Sequence, residues 1–451
     1  MDFSIPDTTD VSAKQSSNQQ AHTLFNIHIN GVHHCSLRYS HLRTFHDELQ
    51  LMFPSVISQI DPFPPKKILS LSSRDTEERR VLLEHYLKSI ALNKFISTSS
   101  FFDDFFLRAQ CETFASDPSD TSDKLDLTVR LLNNHEIIIE GLSSDDNTAQ
   151  LLDACASKIQ LTEDIASYFG LYLYDTADNQ LSIIRPLYNF ESPYLSLKQT
   201  NTRYGHACIM LKKSYWNAEW DLALLDDRRA RNLLFVQAQH EIEQARGLSD
   251  SEIDEQLQTL RDTNALKDYI LLARTTKFYG HIMLKNCSIL YPISDASKQK
   301  LCQCLLALGN NELICHLLSE KESKKKAASS SASAAKEVIL KVTRIRRWKT
   351  NWTNDDVNIA VEYLMKKDTL EWITIHTKQA ALISFCLQSM VDEIVAKKAE
   401  TASSTSPATE PATTVERRPN PANGLTTRTE AESERLNNND IFDRGAGDDD
   451  L

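Results

Sequence analysis

Leu24-Phe25-Asn26-Ile27-His28-Ile29-Asn30-Gly31-Val32-His33-His34-Cys35-Ser36-Leu37-Arg38-Tyr39-Ser40 decides how the first third of the chain is read. Phe25, Ile27 and Ile29 alternate with Asn26, His28 and Asn30, the period of a half-buried strand. Asn30-Gly31 supplies the two positive-φ residues of a tight hairpin turn, and Val32 to Leu37 reads as the return strand. Leu42, Phe45, Leu49 and Phe53 then recur at helical spacing. Pro62-Phe63-Pro64-Pro65 stops regular structure. A second helix opens at Asp75, with Glu78 three residues on as in a capping box, and carries Leu82, Leu83, Tyr86, Leu87 and Ile90. Hairpin first and helices after make an α+β unit that ends near Cys111. The residues before Leu24 are polar and are expected to form a loose tail, 1–20.

Downstream the alternation returns. After a polar linker, Leu125, Leu127, Val129 and Leu131 alternate, Asn133-Asn134 turns the chain, and Ile137-Ile138-Ile139 leads to an amphipathic helix through Leu151, Leu152, Cys155 and Ile159. Hairpin then helix is the opening of a β-grasp unit. From Asp221 to Tyr279 the pattern is almost wholly helical. Short strands follow Gly280, broken by a Lys/Ser/Ala run over 321–335 that holds no core-forming residue. They resume as one stretch from Val338 through Trp348, then over 357–365 and 370–375, and a helix over 378–397 closes the ordered part. Residues 399–451 are rich in Ser, Thr, Pro, Ala and Asn, and are expected to be disordered.

The chain has 451 residues, room for several domains. Its net charge of −12 argues against broad nucleic-acid binding, because polyphosphate would be repelled. Contact with anionic lipid must then come from a local basic pocket. Nine cysteines without pairing rhythm read as reduced thiols of the cytosol. No apolar run approaches the roughly 18 residues of a membrane span, and the start lacks the pattern of a signal peptide.

Three basic groups share the first domain: Arg38-Tyr39, Pro64-Pro65-Lys66-Lys67 and Arg79-Arg80. Together they suit a phosphorylated inositol. Arg38 offers a fork for one phosphate, Tyr39 a flat support for the ring, and Lys66 a point charge at the mouth of the pocket. With Phe45-His46-Asp47-Glu48-Leu49, Phe63, Glu77-Glu78 and Leu83-Glu84-His85-Tyr86-Leu87, these groups resemble the phox-homology (PX) domain of sorting nexins over about Thr23 to Gln110. The resemblance implies phosphatidylinositol 3-phosphate as ligand. Arg38 would take the 3-phosphate, Tyr39 would stack on the inositol, Lys66 would meet the 1-phosphate and Arg79 would bond the ring hydroxyls. Many members have two basic residues before the tyrosine, whereas Leu37 precedes Arg38 here.

The order β-grasp, helical, strand-rich is similar to the three lobes of a FERM domain, and PX followed by FERM is similar to one subgroup of sorting nexins. The stretches that carry this are Lys212-Lys213-Ser214-Tyr215-Trp216, Val342-Thr343-Arg344-Ile345-Arg346-Arg347-Trp348 and Cys386-Leu387-Gln388-Ser389-Met390-Val391-Asp392-Glu393. The expected fold is therefore multidomain α+β. A PX domain covers 21–112, a ubiquitin-like lobe 123–212, a helical lobe 213–279 and a phosphotyrosine-binding-like lobe 280–398, before the acidic tail. By the resemblance, the last lobe would take Asn-Pro-x-Tyr or Asn-x-x-Tyr signals of cargo tails on a strand edge by β-augmentation. Val342, Ile345 and Trp348 would form that edge, and Leu387 and Met390 would close the groove. Asp448, Asp449, Asp450 and Leu451 resemble the ending of a subgroup member that docks on the retriever recycling complex. Asn439 and Phe442 repeat the spacing of the cargo signal and would compete for the same groove in cis.

The protein so read is an adaptor at early endosomes that returns cargo to the cell surface. Rival readings are a membrane–cytoskeleton linker, and a scaffold for a small GTPase bound by the first FERM lobe. No enzymatic, phosphate-loop or zinc motif is present, so no catalysis, cofactor or metal is expected. Cys302, Cys304, Cys315 and His316 lack zinc-knuckle spacing, and His33-His34-Cys35 sits on a strand whose neighbours face opposite ways.

Overall fold

The computed structural model describes residues 1–12, 21–67, 72–114, 124–177, 180–246, 248, 251–292, 299–318, 337–352, 357–366 and 369–404. The first strands are Phe3–Ser4 (β1), Thr8–Val11 (β2), His22–Ile29 (β3) and Val32–Arg38 (β4). Asn30 and Gly31, at φ 48° and 76°, make the left-handed turn that joins β3 to β4. β1 and β2 run along one edge of β3 and β4 along the other. Helices Tyr39–Met52 (α1), Pro54–Ile57 (α2), Ser73–Leu92 (α3), Lys94–Ser97 (α4) and Ser100–Phe114 (α5) complete this domain. The cap of α3 is Ser72, three residues before the expected start, in a reciprocal box with Asp75.

The expectation of a loose tail over 1–20 is corrected for its first residues. Phe3 and Ile5 are wholly buried. The Phe3 ring lies 5.1 Å from Phe106 and 6.2 Å from Phe102. Ile5 N–H donates to Glu84 at 2.9 Å and the Ile5 carbonyl accepts from Arg80. Two apolar side chains and a backbone edge that completes β3 outweigh the polar composition around them.

The second unit holds Leu125–Arg130 (β5), Glu136–Leu142 (β6), Thr148–Ile159 (α6), Glu163–Ala166 (α7), Phe169–Asp175 (β7), Ser182–Pro186 (β8), Pro193–Tyr204 (α8) and Ala207–Lys213 (β9). Its sheet runs β6-β5-β9-β7-β8 with β5 and β9 parallel, and α6 packs on one face, the β-grasp arrangement. The third is helical: Glu219–Leu224 (α9), Arg228–Gln244 (α10), Ser251–Asp262 (α11) and Leu266–Ala273 (α12). Buried Asp221 of α9 ties the second unit to the third, accepting from Tyr279 at 2.8 Å and facing Lys213 Nζ at the end of β9 at 3.4 Å.

The last unit contains Ile282–Pro292 (β10), Gln299–Gly309 (β11), Glu312–Leu317 (β12), Glu337–Lys341 (β13), Ile345–Trp352 (β14), Val357–Lys366 (β15), Thr369–His376 (β16) and Ala380–Ser404 (α13). The strands form one antiparallel sheet in the order β13-β12-β11-β10-β16-β15-β14. The sequence reads 338–348 as one stretch, and here too the structure differs. A 3-10 turn over Val342–Arg344 splits it, so that β13 and β14 end at opposite extremes of the sheet. Val342 N–H donates to Asn311 O at 2.8 Å, which pulls the turn inward.

Candidate functional site

Two surfaces answer to the sequence reading. The first surrounds Tyr39, the opening residue of α1, where Arg38 leaves β4 in extended geometry. The Tyr39 hydroxyl donates to Pro64 O at 2.8 Å, and its ring is 5.5 Å from Phe63. Phe63 in turn stacks on His46 at 4.7 Å and meets Tyr86 edge-on at 5.0 Å. The proline loop is thus fixed by aromatic contacts on both α1 and α3. Lys66, two residues on, is exposed and makes no ion pair with a described residue. Lys67 is held by Asp75 at 2.6 Å and Glu78 at 3.3 Å.

Arg79 reaches the same place from α3. Its guanidinium carbon lies 4.2 Å from the Tyr39 ring centroid. The side chain is buried, and its Nη2 has no hydrogen-bond partner among the described residues. A buried guanidinium N–H left without an acceptor costs on the order of 1–3 kcal/mol, more for a charged group. One face of the Tyr39 ring is therefore covered by the Arg79 guanidinium. Arg80, next along, points away: it binds Glu77 at 2.6 Å and the Ile5 carbonyl. Tyr39 and Arg79 come together, Arg38 precedes Tyr39 at the end of β4, Lys66 stands on the loop that Tyr39 anchors, and Arg80 belongs to the scaffold.

The second surface is β14. Its inner edge pairs with β15, and its outer edge pairs with no described strand. Trp348 points toward α13 and its Nε1 donates to Ser384 Oγ at 2.9 Å, bridging edge strand and helix. Here the site reading is corrected. Val342, Ile345, Leu387 and Met390 have no exposed side-chain surface to offer a peptide, because the 3-10 turn and the inner face of α13 place them in the core of this unit. They support the groove from below. On the opposite face of β14, Arg347 and Lys349 lie 5.5 and 5.2 Å from the Trp372 ring, and Arg347 pairs with Glu362 at 2.8 Å. Ser384, Trp372 and Glu362 escaped sequence reading, since nothing local marks residues that meet only through the sheet and the final helix. Asn439, Phe442, Asp448, Asp449, Asp450 and Leu451, and the 321–335 run, lie outside the described residues.

Cys304 and Cys315 lie on neighbouring strands, but no group of three or more His, Cys, Asp or Glu fit for a metal occurs among the described residues. No described helix is long and apolar enough to cross a membrane.

Comparison with known proteins matches four family models along the chain. They are the PX domain over 25–109, the sorting nexin 17/27/31 FERM F1 lobe over 125–216, the sorting nexin 17/31 FERM F2 lobe over 217–277 and the sorting nexin 17 FERM C-terminal domain over 280–395. Sorting nexin-17 of Danio rerio is 33% identical over 416 residues, covering 88% of this chain and 82% of the relative. This chain belongs to the sorting nexin-17 family. Sorting nexin-17 of Homo sapiens is 33% identical with the same coverage, and human sorting nexin-31 is 27% identical over 84% of this chain and 83% of its own length. Among solved structures, mutant 1 of the Dictyostelium discoideum myosin VII MyTH4-FERM MF2 domain matches at a TM-score of 0.39 and 10% identity, covering 79% of this chain and 92% of that one. The sorting nexin described here is thus an endosomal cargo adaptor that joins a PX domain to three FERM lobes.

Proposed function

We propose that this sorting nexin holds phosphatidylinositol 3-phosphate in the Arg38–Tyr39–Arg79 pocket, with Lys66 at the membrane side. The observation that carries the reading is the buried, unpartnered Nη2 of Arg79 beside Tyr39, a donor that a ligand hydroxyl would satisfy. Arg38 takes the phosphate as a two-pronged donor. On β14 the open outer edge adds a peptide strand, with Asn-Pro-x-Tyr or Asn-x-x-Tyr cargo tails as the occupant and Trp348 as the contact between strand and helix. The Asp448–Leu451 segment recruits retriever, and the Asn439–Phe442 segment competes with cargo. Together these activities place the protein on early endosomes and return cargo to the cell surface.

The test is co-sedimentation of the full chain with vesicles carrying single phosphoinositides, beside Arg38→Gln. Selective pelleting with the 3-phosphate lipid, lost in the variant, supports the reading. Pelleting that ignores the lipid or the substitution ends it.

A further inference from the structure

Separate domains in one chain normally move relative to each other unless their interface is large and apolar. Here the loop after β8 of the first FERM lobe enters the PX domain. Phe190 is almost fully buried and belongs to the PX core, 5.6 Å from His34 and 5.8 Å from Phe102. Tyr188 stacks on Phe190 at 5.6 Å, and its hydroxyl accepts from Asn30 in the PX hairpin turn. Glu191 fixes the base of this wedge. It takes both prongs of Arg185 at 2.7 Å, and accepts from Ser196 Oγ at 2.7 Å. Gln110 of α5 closes the seam from the PX side, accepting from Ser192 N at 2.8 Å and donating to Ser196 at 3.0 Å.

The wedge also reaches the cargo lobe. Tyr188 meets Phe385 of α13 edge-on at 6.2 Å, and Lys94 of the PX domain pairs with Asp392 of α13 at 3.1 Å. Asp2 is fixed beside the PX hairpin, its backbone N–H donating to Asn30 Oδ1 at 2.8 Å and its carbonyl accepting from the Asn30 N–H at 2.8 Å, and its carboxylate faces Thr350 on β14. PX domain, first FERM lobe and cargo lobe therefore meet around one seam, buried at Phe190 and Glu191 and solvent-exposed at the Lys94–Asp392 pair.

We infer that the wedge Tyr188–Glu191, with the Lys94–Asp392 pair, locks the PX domain to the cargo lobe in one orientation, so that the protein selects membrane-anchored sorting signals by the length of tail between signal and bilayer. This rests on the lipid and cargo sites proposed above. With a fixed body, the β14 edge stands at one height over the membrane. A tethered peptide whose linker cannot span that height gains nothing from being on the same surface, whereas a longer one gains its full effective concentration. A mobile joint would let the lobe tilt down and reach short tails.

Two measurements decide it, both on the full chain. The first is hydrogen exchange at the Ser192 amide, which the lock requires to be strongly protected. Exchange at the rate of an open loop overturns the lock whatever the protein binds. The second is recruitment to vesicles carrying phosphatidylinositol 3-phosphate and an Asn-Pro-x-Tyr peptide on lipid-anchored Gly/Ser linkers of increasing length. The wild type is expected to show no gain over lipid alone at short lengths, then at least a tenfold gain beyond a threshold. In Phe190→Ala, and in the milder Tyr188→Phe with Lys94→Ala, the gain should begin at shorter linkers while free-peptide and lipid binding stay unchanged. The milder variant keeps the test valid if the cavity left by Phe190→Ala unfolds the PX core. An unchanged threshold, with both single-site bindings intact, overturns the inference. Loss of free-peptide binding in the wild type instead overturns the cargo reading on which it rests.

Discussion

The guanidinium of Arg79 lies over the ring of Tyr39 at 4.2 Å, buried, with one nitrogen that has no acceptor among the described residues. A fold optimised for stability alone would not leave it so. Truncating Arg79 removes a buried donor that nothing satisfies, as well as its contact with the ring. We expect Arg79→Met to keep the melting temperature within a few degrees of the wild type while lowering vesicle binding at least tenfold. Thermal melts beside co-sedimentation test this. A variant that melts far lower would show that Arg79 is a structural residue.

Arg80 is adjacent in sequence but has the opposite role, because it fastens the N-terminal strand through Ile5 while Phe3 fills the aromatic core. Phe3→Ala should cost about 3–5 kcal/mol of PX stability, the range for truncating a buried aromatic ring. Arg80→Ala should cost about 1–2 kcal/mol through the lost hydrogen bonds. Neither should change which phosphoinositide is chosen. Denaturant melts monitored with lipid selectivity would check both, and a switch in lipid preference on Arg80→Ala would return that residue to the pocket.

How far the sequence carried the argument depended on the range of the determining contacts. Asn30-Gly31, the proline loop and the alternation of β3 are local signals, so hairpin and loop were readable from them, while the order of the four units came from the later hairpin–helix, helical and strand-rich segments and the resemblance they carry. The N-terminal strand was not, because Phe3 and Ile5 are isolated apolar residues whose partners lie far along the chain, Phe106 in α5 about a hundred positions later and Glu84 in α3 79 positions later. The 3-10 turn at Val342–Arg344 hid inside an alternating run. It sends Val342 and Ile345 inward and separates β13 from β14 by the width of the sheet. Phe190 carries no local mark of an interdomain wedge, since its partners belong to another domain.

That correction separates two kinds of residue in the cargo lobe. Ile345→Ala and Met390→Ala empty core positions, and each should destabilise by about 2–5 kcal/mol. Peptide affinity of the folded fraction should hardly move. Trp348→Ala removes the bridge to Ser384 at the groove itself, and should weaken an Asn-Pro-x-Tyr peptide about tenfold with a smaller loss of stability. Calorimetric titration alongside thermal melts distinguishes them. Equal affinity losses in all three would mean that the groove has no separable contact residue.

The seam between the PX domain and the first FERM lobe should also respond to acid. His34 is buried beside Phe190, and its Nε2–H donates to the Phe106 carbonyl at 3.0 Å, a bond that the neutral ring makes in its Nε2–H tautomer. Burial pushes its pKa down to about 4, although Glu191 nearby pulls the other way. In the unfolded chain the imidazole titrates at its ordinary value near 6.5. Above that pH both states are neutral at this position, and the native state suffers no penalty. As the pH falls from about 6.5 to about 4 the unfolded chain takes a proton that the folded one refuses, so stability is lost throughout that window, in total about 3 kcal/mol. His34→Gln keeps a donor for the Phe106 carbonyl but cannot titrate. We expect the melting temperatures of wild type and His34→Gln to run parallel above pH 6.5 and to draw apart below it, with the wild type falling faster. Carboxylates common to both proteins cancel in that difference. Curves that stay parallel down to pH 4.5 would show that His34 takes up its proton in the folded state.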